Sequence, residues 1–481
     1  MLLQRLYDPK LAQASYLIGC GESGESLVID PHRDVEQYLE AAAARGLRVT
    51  HVTETHIHAD FVSGSRELAA RTGAALFLSG EGGPDWTYAF AGEAAATLIG
   101  EGDAFEVGSV RIEAMHTPGH TPEHLVFLVT DTAAATAPIA AVTGDFVFVG
   151  DVGRPDLLEK VAEVEDSMDA AARTLFHSLQ RFKAQPDYLQ IWPGHGAGSA
   201  CGKGLSSVPH STVGYERLFN WAFAVADEEE FVRLVLEGQP EPPRYFGVMK
   251  RINRCGPRVL GGLPHPEPVA ASALPEVLTR GATVIDTRTA SAYAAGHVPG
   301  TLNLPLNHSF TGWAGWLVPY AGELYLLMDE DRGRGLREAV RDLAMIGLDR
   351  VAGYFGADAI EAWSNGRRPG TISQITAPEL AGQLGEGAAR VIDVRARSEW
   401  DTGHLPGAAH IPLGELSEHL ARLPRDRPLV VHCQGGSRSA IAASLLEARG
   451  FGNVLNLQGG LAEWVAAGFP LQRPAGGTRP D

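Results

Sequence analysis

The chain has 481 residues, 44% hydrophobic and 20% charged, with 58 acidic against 40 basic side chains and a formal net charge of -18. A single hydrophobic core stops growing at roughly 250–300 residues, so about three domains are expected, and the composition is that of a globular protein rather than a disordered one. The acidic balance and the lack of any basic run speak against nucleic acid and anionic membranes as partners, since binding to both rests on Lys and Arg.

The first segment, MLLQRLYDPKLAQASYLIG, contains no uninterrupted apolar signal region, and no later stretch reaches about 20 apolar residues, so a soluble, unexported, cytoplasmic protein is expected. The cysteines Cys20, Cys201, Cys255 and Cys433 form no CxxC pair, which suits a reducing compartment. Up to about residue 245, strand-like runs such as SLVID and VRIEAMH alternate with helical stretches such as SMDAAARTLFHSLQRFKA, which predicts an α/β domain over residues 1–248. Within it, HVTETHIHADFVSG places His56, His58 and Asp60 at alternate positions beyond an apolar strand. Imidazole and carboxylate so spaced suit a divalent metal, and HTPGHTPEH (His120), AVTGDFVF (Asp145) and IWPGHG (His195) add candidates at later strand ends.

Residues 249–268, rich in Gly, Pro and basic side chains and without periodicity, are expected to be a linker. Beyond it the chain repeats: VIDTRTASAYAAGHVPGTLNLPL aligns without gaps on VIDVRARSEWDTGHLPGAAHIPL, pairing Asp286 with Asp393, Arg288 with Arg395 and His297 with His404. Two α/β domains, 269–370 and 374–475, are expected. In the second, the strand PLVVH runs into Cys433-Gln434-Gly435-Gly436-Ser437-Arg438 and a helix, a loop whose backbone N–H groups and helix N-terminus favour a thiolate and hold anionic sulfur species, with Arg438 adding positive charge. The first copy reads LYLLMDEDRGRG, which is taken to place Asp329 where Cys433 stands, so this copy is expected to lack transferase activity and to serve as a spacer or docking platform.

The four His/Asp motifs, in this order, resemble the metallo-β-lactamase superfamily, which implies a four-layer αββα sandwich with the metal at the sheet edges. Two-metal hydrolases of that superfamily, such as glyoxalase II, carry HxHxDH, whereas this chain has Phe61 in place of the last His. The one-metal branch resembled here is that of the persulfide dioxygenases, whose ferrous ion is held by two His and one Asp. Carried over, the ligands of one Fe(II) are His56, His120 and Asp145, a triad that leaves positions open for substrate and O2. His58, Asp60 and His195 then orient ligands or hold water, with His58 a candidate fourth ligand. Arg154, nine residues after Asp145, is expected to hold the anionic part of the thiol substrate. Cys201 is either a persulfide carrier near the iron or a buried small apolar residue. Zinc or manganese is the expected substitute in a purified sample.

The Cys433 loop, with its upstream DxR and GHxPGA patterns, resembles the rhodanese family, implying Cys433 as the residue that takes and passes sulfane sulfur, Arg438 as loop support, and Asp393, Arg395 and His404 as structural. A Cys-x5-Arg phosphatase loop needs one more residue between Cys and Arg. The whole resembles bacterial persulfide dioxygenase-sulfurtransferases. That likeness implies oxidation of a low-molecular-weight thiol persulfide (RSSH) with O2 to sulfite, sulfur transfer among persulfide, sulfite and thiosulfate, and a homo-oligomer, dimer or tetramer. The alternatives are a zinc hydrolase of the glyoxalase II or β-lactamase kind fused to rhodanese, and a sulfur-relay or binding protein without turnover.

Overall fold

The computed structural model describes residues 1–160, 167–329, 333–385 and 387–473, and it divides into two compact units, residues 1–264 with 341–349, and residues 265–340 with 350–481.

Two six-stranded sheets form the first unit. One runs in chain order through Leu2–Asp8, Gln13–Cys20, Glu25–Ile29, Arg48–Thr53, Ala75–Ser79 and Thr97–Ile99. The other runs Ser211–Thr212, Gln190–Pro193, Ala140–Gly144, Leu125–Asp131, Val110–His116 and Ala104–Val107. Their facing sides bury one apolar layer, including Ile18, Leu27, Ile112, Phe127 and Val142. The outer face of the first sheet is covered by helices around Tyr38 and Leu68, and that of the second by Ser167–Phe182, which buries Leu175, Leu179 and Phe182. Helix, sheet, sheet, helix is thus the layer order, as expected. Gln13–Cys20 is buried along its whole length because it lies inside its sheet, between two antiparallel neighbours.

The expected linker is overturned in its first part. Residues 245–255 form the helix Tyr245–Cys255, with Met249, Lys250 and Asn253 buried, and the segment that follows reaches Glu67 through the N–H groups of Leu260 and Gly261. Tyr245, Met249 and Asn253 recur at helical spacing, a pattern hidden in the sequence by the polar and basic residues between them.

The second unit holds two parallel sheets. The first orders Leu302–Asn303, Thr283–Asp286, Leu324–Leu327 and Val351–Phe355; the second orders Ser373–Ile375, Val454–Leu457, Leu429–His432, Arg390–Asp393 and Ala409–His410. The repeat is visible residue by residue: Arg395 grips Asp393 at 2.7 Å and the Gly403 carbonyl at 2.8 Å, and Arg288 grips Asp286 at 2.7 Å and the Gly296 carbonyl at 3.0 Å. His404 stacks on Trp400 and His297 on Tyr293.

The strand register corrects one residue of the sequence reading. Asp286 pairs with Leu327 as Asp393 pairs with His432, so the residue equivalent to Cys433 is Met328, not Asp329, which matches Gln434. Met328 is 3% exposed, and the Thr287 hydroxyl donates to its sulfur at 3.3 Å. A thioether has no proton to lose, so the side chain at this position offers no thiolate.

Candidate functional site

Each candidate ligand of the first unit sits just past a strand end. Arg48–Thr53 delivers the turn of His56, His58 and Asp60; Val110–His116 leads to His120; Ala140–Gly144 to Asp145; Gln190–Pro193 to His195. Glycines make the convergence feasible. Gly144 has φ +48 and a Cβ there would stand 2.4 Å from Thr55 Oγ1, while a Cβ on Gly153 would stand 1.8 Å from the Asp145 carbonyl oxygen, so a side chain at the first would displace Thr55 and at the second Asp145.

His56, His120 and Asp145 are buried, and their donor atoms lie within 4.8 Å of one another. Asp60, His195 and Cys201 satisfy the same condition. Asp145 joins the two sets: its Oδ2 is 3.6 Å from His120 Nε2 and 3.9 Å from His56 Nε2, and its Oδ1 is 3.3 Å from His195 Nε2. Asp60 Oδ2 lies 3.4 Å from the same His195 nitrogen.

The rings are held for ligation. His120 Nδ1–H donates to the Arg154 carbonyl at 3.0 Å, His195 Nδ1–H to the Ala12 carbonyl at 3.1 Å, and His56 Nδ1–H to Thr55 Oγ1 at 3.0 Å, leaving each Nε2 for a cation. Burial, reinforced by neighbouring cationic groups, pulls His56 far down and His120 to about 3, so both are neutral imidazoles. Burial, with Asp60 added and His195 opposing, pushes the Asp145 carboxyl up to about 6. Both Asp145 oxygens, Asp60 Oδ2 and His195 Nε2 are buried without a hydrogen-bond partner. An unpaired buried polar group costs about 1–3 kcal/mol. A divalent cation among these donors would supply the missing partner, so the residues fit a metal.

His58 stands apart from the triad. Burial opposes its charging, but the Asp30 carboxylate at 3.0 Å, with Glu54 and Asp60, raises it to about 9, which makes it an imidazolium whose Nδ1 carries a proton. Phe61 is fully buried, its ring 4.4 Å from that of His58, so a second metal would lack a donor at this position. Cys201, 2% exposed, is pushed well above the usual thiol range by burial and by Asp145 and Asp60, which keeps it protonated in the metal-free centre.

Arg154 is also fully buried, but its donors are already engaged. Nε and Nη2 bind the two oxygens of Asp156 at 2.8 and 2.6 Å, Nη2 also binds the Pro240 carbonyl at 2.7 Å, and Nη1 the Ala200 carbonyl at 2.9 Å. It ties the segment of Cys201 to the carbonyl that orients His120.

In the second unit, Leu429–His432 ends at Cys433, and the helix Ser437–Ala448 begins four residues later. The Gly436 N–H donates to Cys433 Sγ at 3.1 Å and the Ser439 hydroxyl at 3.5 Å. Arg438 binds Glu399 through two bonds of 2.6 and 2.7 Å, so its charge is balanced and it braces the loop.

Sequence reasoning missed several supports. Asp30 organises Thr55 and His58; His124 Nε2 accepts from the Asp145 N–H at 3.2 Å; Asn253 and Glu399 hold the two loops. His124 lies within the quoted HTPGHTPEH motif, and Asp30 ends the strand-like run SLVID; for Asn253 and Glu399 the partners are too distant in sequence to be read.

The Metallo-beta-lactamase superfamily model matches residues 8–195, and the Rhodanese-like domain model matches residues 376–467. A crystal structure of a metallo-beta-lactamase from Staphylococcus aureus is 41% identical, covering 74% of this chain and 99% of its own, with a TM-score of 0.68. Mouse mitochondrial persulfide dioxygenase ETHE1 is 29% identical over 53% of this chain and 89% of its own length. A sulfurtransferase of Allochromatium vinosum is 35% identical over 18% of this chain and 80% of its own.

Proposed function

The chain belongs to the metallo-beta-lactamase superfamily and carries a rhodanese-like domain at its C-terminus, and from that premise we propose that it is an Fe(II)-dependent persulfide dioxygenase coupled to a sulfurtransferase. The observation that carries this reading is Phe61: the position that gives two-metal hydrolases their last ligand holds a buried ring, leaving His56, His120 and Asp145 as a two-His, one-carboxylate set. Such a set leaves coordination positions open, the arrangement used by non-haem iron oxygenases. The likeness to ETHE1 over half of the chain supports the same class.

Bound in this triad, ferrous iron supplies O2 chemistry that no side chain provides. The net reaction is RSSH + O2 + H2O giving RSH, hydrogen sulfite and a proton. The protein's own groups set the stage: the Arg154 carbonyl and Thr55 hydroxyl fix the ligand tautomers, Asp30 holds the His58 ring at 3.0 Å beside the centre, and Cys201 places its sulfur with Asp60 and His195. We assign Arg154 to positioning, and Cys201 to carrying sulfur or closing that side.

Cys433, in the loop cradle, takes sulfane sulfur from a persulfide and passes it to sulfite, so that two persulfides become one thiosulfate. The first repeat shares the strand order and Asp–Arg pair of the second, and we infer a rhodanese-type domain there that has lost its nucleophile at Met328.

Product analysis tests the division of labour. Supplied with glutathione persulfide and O2, the wild type is expected to release thiosulfate, whereas Cys433→Ser releases sulfite with O2 uptake retained. Thiosulfate formation that survives Cys433→Ser would remove Cys433 as the nucleophile.

A further inference from the structure

Beside the Cys433 loop, within the second unit, lies a cavity of about 410 Å³. Gly435, Gly436 and Ser437 form one wall, Asn456 and Gln458 another, Gln374 a third, and the first repeat closes it with Ser291 and its helical neighbours. The cavity and the thiol share the loop: Gly436 lines the cavity, and its N–H donates to Cys433 Sγ at 3.1 Å. Its volume lies within the usual range for small-molecule sites, roughly 300–1,000 Å³.

The lining residues are uncharged, and the polar ones other than the glycine backbone are amides and hydroxyls. Asn456 carries the argument. It is 6% exposed, its Nδ2 donates to Gln374 Oε1 at 3.3 Å, and its Oδ1 is buried without a partner. Asn456 borders the cavity, and a turn of its amide toward that space would give the unpaired oxygen the N–H or O–H it lacks from an occupant. Amide side chains offer both a donor and an acceptor, which matches the secondary amide of a ligand and gives no counter-charge to a carboxylate or ammonium.

We propose that this cavity seats the uncharged, amide-bearing arm of the thiol that accepts sulfur from Cys433, with Asn456 determining that specificity. The inference rests on Cys433 being the sulfur carrier. In the step it serves, the acceptor thiolate attacks the outer sulfur of the Cys433 persulfide; that S–S bond breaks, Cys433 departs as thiolate, and the acceptor leaves as a persulfide, with no net oxidation. The first repeat, without a nucleophile of its own, supplies a wall of the site.

Steady-state transfer from thiosulfate by the full-length protein tests this, with pantetheine as the amide-bearing thiol, glutathione as the charged one, and cyanide as an acceptor too small to need an arm site. The wild type is expected to favour pantetheine over glutathione in kcat/KM. Asn456→Leu is expected to lower the pantetheine-to-cyanide ratio of kcat/KM by about tenfold, through KM rather than kcat, the size of one lost hydrogen bond. Gln374→Leu, at an exposed position, should move the same ratio in the same direction and decides the matter if Asn456→Leu fails to fold. A ratio within twofold of wild type in a folded variant overturns the cavity assignment alone; a wild type unable to transfer sulfur even to cyanide overturns it together with the carrier role of Cys433.

Discussion

At the scale of single residues, the candidate metal centre is defined by which groups hold protons. His58 binds its proton more tightly in the native state, at about 9, than the usual imidazole does at about 6.5. The His58–Asp30 pair therefore stabilises the fold fully below about pH 6.5 and loses that contribution as pH rises through about 9, on the order of 3 kcal/mol over the window. Denaturant midpoints of metal-stripped protein should fall between those values, and His58→Gln should flatten the decline; an unchanged slope would show that another group is responsible. Asp145 runs the other way, as a carboxyl raised to about 6 by burial. Above that pH its charge is a burden until a cation arrives. Asp145→Asn should thus raise the stability of the metal-free protein at pH 8 by roughly 1–3 kcal/mol while abolishing metal binding, measured by calorimetry and metal analysis. A variant that still binds iron would displace Asp145 from the ligand set.

At the scale of elements, the helix Tyr245–Cys255 shows how the site depends on a segment that looks like a linker in sequence. Asn253 donates to the carbonyls of His58 and Phe61 at 2.8 and 2.7 Å and accepts from the Ser63 N–H at 2.9 Å, closing the turn that carries the first candidate ligands. Asn253→Ala should cost about 2–4 kcal/mol, by loss of these bonds and the stranding of their partners, and should weaken iron affinity. Retained stability in chemical denaturation would mean that the turn holds itself. The candidate ligands were legible as a cluster, because each stands in a short motif after an apolar strand; the bracing was not, because Asn253 and its partners lie far apart in sequence. The repeat was equally legible from VIDTR and VIDVR, yet the position opposite Cys433 was misjudged by one residue. Only the pairing of Asp286 with Leu327 and of Asp393 with His432 fixes Met328 there. Glu399 was invisible for the same reason as Asn253: its role exists only once the helix Arg397–Thr402 meets the loop of Cys433.

At the scale of the whole molecule, the candidate metal centre and the Cys433 loop occupy two compact units, and under the proposed function the product of one is a substrate of the other. None of the described helices is long and apolar enough to cross a membrane. The layer order of the first unit and the parallel sheets of the second follow from apolar patterning, whereas the merging of both repeats into one unit does not, since it rests on contacts such as the Ser444 hydroxyl accepting from the Asn303 N–H at 3.1 Å. The central claim is the reaction at the His56, His120 and Asp145 centre. Oxygen-electrode recordings of anaerobically purified, Fe(II)-loaded protein given glutathione persulfide test it most directly, alongside a zinc-loaded sample given a glutathione thioester. The account predicts O2 uptake with one sulfite equivalent per O2 in Cys433→Ser and no thioester cleavage; absent O2 uptake together with zinc-dependent cleavage would contradict it.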